Sequence, residues 1–203
     1  MKNIIFDLGG VILSIDYQLT VDAFRKIGIS EFDILYSQLV QSNLFDDFET
    51  GKISPAQFRD QLRKKVNRSI SDEEIDKAWN AMLLDLPKER MELLERLRKD
   101  HRIFLLSNTN AIHENAYTQL ITKQYGMNVL ESAFEKIYLS HHLGLRKPQK
   151  KIFELVLQEN DLAANETLFI DDSPQHIKGS KAAGMNAILL EKNKSILDLF
   201  KEK

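Results

Sequence analysis

The amino-acid sequence predicts an α/β fold, a doubly wound, Rossmann-like parallel sheet with an inserted helical cap subdomain. Five short runs rich in Ile, Leu, Phe and Val lack polar alternation, which is typical of strands that are covered on both faces. Segments of helical periodicity separate the later runs, and this alternation favours a parallel sheet. The predicted strands are 3–7, 102–107, 136–140, 167–171 and 186–190.

Helical periodicity predicts three helices between the later strands, at 87–99, 148–160 and 174–184. The last of them carries signals at both ends. Ser173 is predicted to cap its N-terminus, with a proline in the first helical position, and Gly184 is predicted to end it. Helices of this length between neighbouring strands agree with a doubly wound core.

Residues 15–85 interrupt the alternation, because they contain several helical patterns and no convincing buried strand. Two capping-box sequences, Ser-Pro-Ala-Gln at 54–57 and Ser-Asp-Glu-Glu at 71–74, predict helix starts at which two backbone amides are satisfied reciprocally. Trp79 is interpreted as part of the apolar core of this region. We therefore predict a core made of 1–14 and 86–203 and a helical cap subdomain at 15–85.

The composition is that of a globular protein able to bury a core, with 43% hydrophobic residues among 203. Lys and Arg number 28 against 30 Asp and Glu, and this near balance provides no electrostatic footprint for nucleic acid or an anionic membrane. The absence of cysteine excludes disulfides and thiolate chemistry. No signal-peptide pattern and no run of roughly 18 to 20 apolar residues is present, which predicts a soluble, cytoplasmic protein.

Carboxylates follow two of the predicted strands at the point where each strand ends. Asp7 ends the first apolar run, and Asp171 and Asp172 end the fourth. The carboxyl edge of an open parallel sheet is where ligands bind, so these side chains are expected to lie together there. Three such carboxylates repel one another unless a cation joins them or some take up protons. The cluster therefore predicts a divalent metal and phosphate chemistry.

Two further strand ends supply the other groups that this chemistry needs. The second strand ends at Ser107 and Asn108, before a helix, and Lys147 follows the third strand at another helix start. In phosphoryl transfer to an aspartate, the carboxylate attacks phosphorus while Mg²⁺ neutralises the nearby oxygens. A lysine, a hydroxyl and free helix amides hold the remaining phosphate oxygens.

These residues, in this order, resemble the four motifs of the haloacid dehalogenase superfamily, and the resemblance covers essentially the whole chain. It rests on Phe-Asp-Leu-Gly at 6–9, Leu-Ser-Asn-Thr-Asn at 106–110, Gly-Leu-Arg-Lys-Pro at 144–148 and Asp-Asp at 171–172. The insert resembles the superfamily's helical cap of the first type. The greatest likeness is to small phosphatases of the α-D-glucose-1-phosphate phosphatase kind. The resemblance implies a Mg²⁺-dependent phosphatase that acts on a small phosphate ester.

The resemblance also implies a role for each matching residue. Asp7 is the expected nucleophile, which becomes an aspartyl phosphate. The expected Mg²⁺ ligands are Asp7, Asp172 and the backbone carbonyl of Gly9, with Asp171 binding directly or through water. Hard oxygen ligands of this kind suit Mg²⁺.

On the phosphate side of the site, the resemblance implies that Ser107 and the Asn108 amide hold the phosphoryl group. Lys147 is expected to balance charge between this group and the nucleophile. Taken singly, Ser107 is also explained as a turn residue, and Lys147 as a solvated lysine at a helix terminus. Together, they favour the phosphatase, because burying the acids without a metal is costly.

Gly9 departs from the superfamily pattern, in which a second Asp at this position protonates the leaving group. A substitute is then needed, or a leaving group that requires little acid help. The second option favours sugar 1-phosphates such as glucose 1-phosphate. Four histidines are candidates for the substitute, although a surface or helix-cap role is favoured for each. They are His113, His141, His142 and His176.

Another departure is His176, which stands where the resembling group commonly has Asn. It is expected to tune the orientation of a metal ligand.

Other classes of protein are compatible with parts of the pattern. A metal-independent haloacid dehalogenase also attacks with an Asp at the first strand, but its relatives lack the acidic pair at 171–172. A response-regulator receiver is disfavoured, because its acidic pair normally comes in or just after the first strand and its lysine after the last. In this chain the acidic pair follows the fourth strand, and a long insert follows the first. A catalytically weak phosphate-binding or regulatory protein stays open because of Gly9. A dinucleotide site is the weakest alternative, because Gly9-Gly10 is not the glycine fingerprint of that fold.

Overall fold

The computed structural model describes residues 1–30, 32, 43–64, 66 and 69–201. Its centre is a sheet of five strands in the order β3-β2-β1-β4-β5, in which every neighbouring pair is parallel. This arrangement confirms the predicted sheet and each of its predicted strands. The strands are β1 Asn3–Phe6, β2 Arg102–Ser107, β3 Lys136–Leu139, β4 Thr167–Asp171 and β5 Asn186–Leu189.

Helices occupy most of the remaining described chain. Those between β1 and β2 are α1 Tyr17–Lys26, α2 Asn43–Glu49, α3 Pro55–Arg63, α4 Asp72–Trp79 and α5 Lys88–Leu97. Those that follow β2 are α6 Ala111–Tyr125, α7 Val129–Ala133, α8 Ser140–Leu143, α9 Lys150–Glu159, α10 Pro174–Ala182 and α11 Ile196–Leu199. None of these helices is both long enough and apolar enough to cross a membrane.

Apolar side chains leave the sheet on both faces, so each face has a core of its own. Along β1, Ile4 and Phe6 pack into one cluster with α5 and α6, whereas Ile5 packs into the other with α9 and α10. This is the burial expected of a parallel sheet covered by crossover helices. β1 lies in the middle of the sheet, and Phe6 pairs with Leu105 of β2 and Ile170 of β4. The ends of these three strands therefore meet at one edge.

The structure corrects two details of the prediction. β5 is an edge strand, and its Ile188 and Leu189 are 37% and 39% exposed rather than covered on both faces. Ser173 does precede α10, but its side chain makes no capping hydrogen bond. Instead, the Ser173 backbone N–H donates to Asp171 Oδ1 at 2.8 Å. A buried carboxylate is a stronger acceptor than a hydroxyl, so this bond aligns the turn with Asp171.

The insert has a separate aromatic core. Both predicted capping boxes are present, at Ser54 in front of α3 and at Ser71 in front of α4. Trp79 is 1% exposed, stacks on Phe45 with 5.4 Å between the ring centroids, and packs at a tilt against Phe58 at 5.1 Å. The insert reaches the sheet domain through this tryptophan, whose Nε1 donates to Asn110 Oδ1 at 3.3 Å. The bounds of the cap subdomain stay a prediction, which this separate core supports.

Candidate active site

Two carboxylates and one lysine form the centre of the site. Asp7 directly follows β1, and Asp171 is the last residue of the neighbouring β4. Lys147 Nζ lies 2.7 Å from Asp7 Oδ1 and 2.7 Å from Asp171 Oδ2. The Lys147 side chain is fully buried, and that of Asp7 is 11% exposed. Burial removes water as a competing partner, so this ion-pair network fixes both carboxylates rigidly.

Asp171 is the best stabilised anion of the group. Burial raises its pKa, but the charge of Lys147 and the hydrogen bonds from His176 and Lys147 outweigh burial and bring the pKa to about 2. It also accepts the Ser173 amide. For Asp7, burial prevails over Lys147, and its pKa is raised. Asp171 is therefore ionised throughout the neutral range.

The ionised form of Asp172, unlike that of Asp171, is destabilised by its surroundings. Burial and the charges of Asp7 and Asp171 raise its pKa to about 7. One oxygen atom from each of these three carboxylates lies within 4.8 Å of the others. They face the single ammonium of Lys147, which leaves a formal excess of two negative charges. A hard divalent cation relieves both the excess charge and the repulsion, so the donor set fits Mg²⁺.

The loop after β1 is folded closely onto this cluster. Gly10 has a φ of +76°, and a Cβ at this position would lie 2.4 Å from Asp172 Oδ2. Only glycine tolerates both the backbone conformation and the contact. Gly9 lines the same cavity as Asp7 and Asp172, as the prediction requires. Gly10 was not predicted to be a site residue, although a glycine directly after a strand-end motif is a signal for close backbone approach.

The predicted phosphate-binding residues lie on the other side of Asp7. Ser107 ends β2 and is 3% exposed. Asn108 and Lys147 exchange two hydrogen bonds of 2.9 Å, because the Asn108 side-chain amide donates to the Lys147 carbonyl and its oxygen accepts the Lys147 backbone N–H. The Asn108 side chain thus positions the lysine loop, a role that the sequence analysis did not predict. Ser107, Asn108 and Lys147 all line one cavity with Asp7.

The four histidine candidates divide into two pairs. His113 is buried, stacks on Trp79 with 4.7 Å between the ring centroids, and pairs with Asn80. Burial lowers the pKa of His113 to about 3. His176 Nδ1 lies 2.9 Å from Asp171 Oδ1, which agrees with a role in orienting that carboxylate. The surface or helix-cap role favoured for these two is therefore wrong.

The second pair, His141 and His142, lies beside Glu114 and does not line the cavity that contains Asp7. His142 is exposed, with 58% of its side chain accessible, as predicted, whereas the His141 side chain is 7% exposed.

The insert contributes to the same cavity through Tyr17 and Glu49, and the loop before Lys147 contributes Arg146. Arg146 Nη2 lies 2.8 Å from Glu49 Oε2, and Arg146 also pairs with Asp46. The Arg146 and Glu49 side chains are only 12% and 10% exposed. This ion pair joins the insert to the loop that carries Lys147. No role was predicted for Arg146 or Glu49, because the two residues lie 97 positions apart in the sequence.

The fold and the site define a hydrolase of one superfamily. The family model described as haloacid dehalogenase-like hydrolase matches residues 1–184. The chain therefore belongs to the haloacid dehalogenase-like hydrolases, and the family that the motifs predicted is confirmed.

Within this superfamily, the chain is similar to named phosphatases. It is 34% identical to a D-ribitol-5-phosphate phosphatase of Bacteroides thetaiotaomicron, over 91% of this chain and 89% of the relative. It is 29% identical to a sesquiterpene phosphatase of Aspergillus oryzae, over 91% and 87% of the two chains. A crystal structure of a haloacid dehalogenase family enzyme from B. thetaiotaomicron superposes with a TM-score of 0.93 at 33% identity, covering 100% of both chains. That protein is a point mutant in complex with magnesium and inorganic phosphate.

Proposed function

We propose that this chain is a Mg²⁺-dependent phosphomonoesterase that hydrolyses small sugar or sugar-alcohol phosphates through an aspartyl phosphate on Asp7. The observation that carries the proposal is the arrangement of three convergent carboxylates around one buried lysine at the carboxyl edge of the sheet. The phosphatase activity named for the relatives and the magnesium and phosphate bound by the superposed enzyme support it.

Each residue of the site has a role in the proposed reaction. An Asp7 oxygen forms a bond to phosphorus as the bond from phosphorus to the ester oxygen breaks, and water then attacks the aspartyl phosphate to release inorganic phosphate. Lys147 holds Asp7 in line and neutralises phosphate charge, while Ser107 and the Asn108 amide hold the phosphoryl oxygens. Mg²⁺, held by Asp7, Asp172, the Gly9 carbonyl and Asp171, would supply charge neutralisation for nucleophile and phosphate.

The choice of substrate is proposed to reside in the insert at 15–85, which acts as a cap over a core made of 1–14 and 86–203. Glu49 reaches the cavity from the insert and is a hydrogen-bond acceptor suited to the hydroxyl groups of a polyol. Two substrates test which phosphate esters the site accepts. Glucose 1-phosphate follows from the missing acid at Gly9, because its anomeric oxygen leaves readily. Ribitol 5-phosphate follows from the name of a relative, and its leaving group is an ordinary alcohol.

A small phosphate ester, rather than nucleic acid or a membrane, is the proposed partner. The cytoplasmic location stays a prediction.

The experiment is release of phosphate from p-nitrophenyl phosphate, glucose 1-phosphate and ribitol 5-phosphate, with Mg²⁺ or with EDTA. The proteins are wild type, Asp7→Asn and the matched control Asp22→Asn, which makes the same change at a half-exposed side chain of α1. We expect Mg²⁺-dependent turnover in wild type and control, and none in Asp7→Asn. Phosphate binding without turnover of any ester would instead identify the weak phosphate-binding protein that Gly9 leaves open.

A further inference from the structure

Glu114, His141 and His142 form a second cluster of metal-ligating side chains, which lies outside the cavity of Asp7. His141 Nε2 lies 2.9 Å from Glu114 Oε2, and His142 Nε2 lies 3.1 Å from the same oxygen. The two imidazole rings are 4.1 Å apart between centroids. Three potential ligand atoms from two helices thus lie within 4.8 Å of one another. Side chains of adjacent residues on a helix ordinarily point in different directions.

The backbone beneath the cluster is fixed by hydrogen bonds. Ser140 is fully buried, and its Oγ accepts the Thr109 amide and donates to the Thr109 carbonyl, each at 3.0 Å. This pairing ties the start of α8, which carries His141 and His142, to the residues that precede α6. Asn110 caps α6, and Glu114 lies in its first turn. The three ligand-bearing residues are therefore held on elements that are already joined to each other.

The donor set is different in kind from that of the active site. Imidazole nitrogens suit Zn²⁺ and related transition ions, whereas Mg²⁺ prefers oxygen ligands. Two histidines and one glutamate are a known zinc-binding combination that leaves a coordination position for water. Bond lengths of about 2.0–2.1 Å to zinc place tetrahedral ligand atoms roughly 3.3 Å apart. The observed distances of 2.9 and 3.1 Å differ from this by only a few tenths of an ångström.

We propose that Glu114, His141 and His142 form a second metal site, selective for Zn²⁺ or a similar transition ion, that joins α6 to α8. The site is separate from the Mg²⁺ site of the proposed phosphatase and does not depend on that activity. Because Thr109 belongs to the segment that follows Ser107 and Asn108, an ion here braces the helix behind the phosphate-binding residues.

The test is isothermal titration of Zn²⁺ into the full chain in excess Mg²⁺, which occupies the oxygen-only site. We expect one Zn²⁺ per chain, and a rise in melting temperature on Zn²⁺ addition. His142→Gln is the main variant, because the His142 side chain is 58% exposed and we therefore expect its replacement to leave the fold intact. It should weaken Zn²⁺ binding at least about tenfold, and Glu114→Gln should do the same. His101→Gln, which changes a histidine outside the cluster, is the matched control and should bind as wild type does.

Asp172→Asn separates the two metal sites. The proposal requires that this variant keeps the Zn²⁺ affinity of wild type. Co²⁺ added in place of Zn²⁺ should give visible absorption bands that are lost in His142→Gln and kept in Asp172→Asn. The proposal is overturned if wild type binds no Zn²⁺ in excess Mg²⁺, or if binding is lost in Asp172→Asn and unchanged in His142→Gln.

Discussion

At the carboxyl edge of the sheet, four ionisable side chains lie within a few ångströms of one another, whereas the core of the insert is apolar and rich in aromatic rings. The edge contains Asp7, Asp171 and Asp172 around Lys147, and burial there raises the pKa of Asp172 to about 7. In the insert, Phe58 is fully buried and stacks on Phe48 at 4.2 Å. Without a cation the carboxylates at the edge repel one another, whereas the rings of the insert pack together without any charge to neutralise. Side chains that are costly to bury therefore mark the reactive region.

Asp172→Asn should have the largest effect, and it should change activity and metal-free stability in opposite directions. Removing this carboxylate takes away a proposed Mg²⁺ ligand, and we expect turnover to fall by about 10³-fold or more, as for loss of a main electrostatic group. The metal-free protein should become more stable, because one of three repelling charges is gone. Phosphate release and thermal unfolding in EDTA measure the two effects. A variant that loses both activity and metal-free stability would contradict the comparison.

Lys147→Met should destabilise the metal-free protein by about 3–5 kcal/mol, because it leaves Asp7 and Asp171 buried without their cation. Added Mg²⁺ should recover part of this loss, since it neutralises the same carboxylates. Urea unfolding with and without Mg²⁺ tests this. Lys150→Met, which removes a half-exposed ion pair with Glu154 on α9, is the control and should change stability by less than about 1 kcal/mol.

Phe58→Ala should cost about the same, roughly 3–5 kcal/mol, for a different reason, namely a cavity among the rings of the insert. Unlike the lysine variant, it should receive no specific compensation from Mg²⁺, and its Mg²⁺ affinity should match that of wild type under conditions where it is folded. Calorimetric titration of Mg²⁺ measures this. A large loss of Mg²⁺ affinity would show that the two regions are not independent.

Arg146→Gln addresses the contact between the two regions. It removes the ion pairs with Glu49 and Asp46 and leaves Lys147 in place. We expect KM for a sugar or polyol phosphate to rise about tenfold, while kcat for p-nitrophenyl phosphate changes little, because only the larger substrate relies on the closed insert. Arg25→Gln, which removes an exposed pair with Asp22 on α1, is the control. Equal losses on both substrates would assign Arg146 to the chemistry instead.

The last prediction concerns the pH dependence of stability. The pKa of Asp172 is about 7 in the folded protein, above its value in the unfolded chain, so the folded state keeps a proton that the unfolded state releases. Relative to Asp172→Asn, the metal-free wild type should therefore lose stability as pH rises from about 4 to about 7, by up to about 1.4 kcal/mol per pKa unit. Paired unfolding curves in EDTA check this. A difference that does not vary with pH would contradict it.

The chemistry at the strand ends could be predicted because it is local in sequence. Asp7, Ser107 and Asp171 each stand at the end of an apolar run, and parallel pairing brings such ends together. The apolar runs also predicted the five strands. They did not predict the exposure of β5, because apolar composition does not distinguish an edge strand from a central one.

The contacts that could not be predicted join distant parts of the chain. Arg146 and Glu49 pair across the boundary of the insert, and nothing in the local pattern of either residue indicates its partner. The closeness of Gly10 to Asp172 depends on how the loop after β1 folds, which the local sequence does not specify. Long-range side-chain contacts of this kind follow from tertiary packing. The local pattern of a single sequence does not show which distant residues will contact each other.

The most direct test of the proposed mechanism is detection of the phosphorylated Asp7 itself. Wild-type protein is mixed with Mg²⁺ and p-nitrophenyl phosphate, quenched in acid during turnover and digested, and the peptide containing Asp7 is analysed by mass spectrometry. We expect phosphate on Asp7 in wild type, and no phosphorylated peptide in Asp7→Asn or without Mg²⁺. Turnover of the ester with no phosphate on this peptide, and with Asp7→Asn still active, would contradict it.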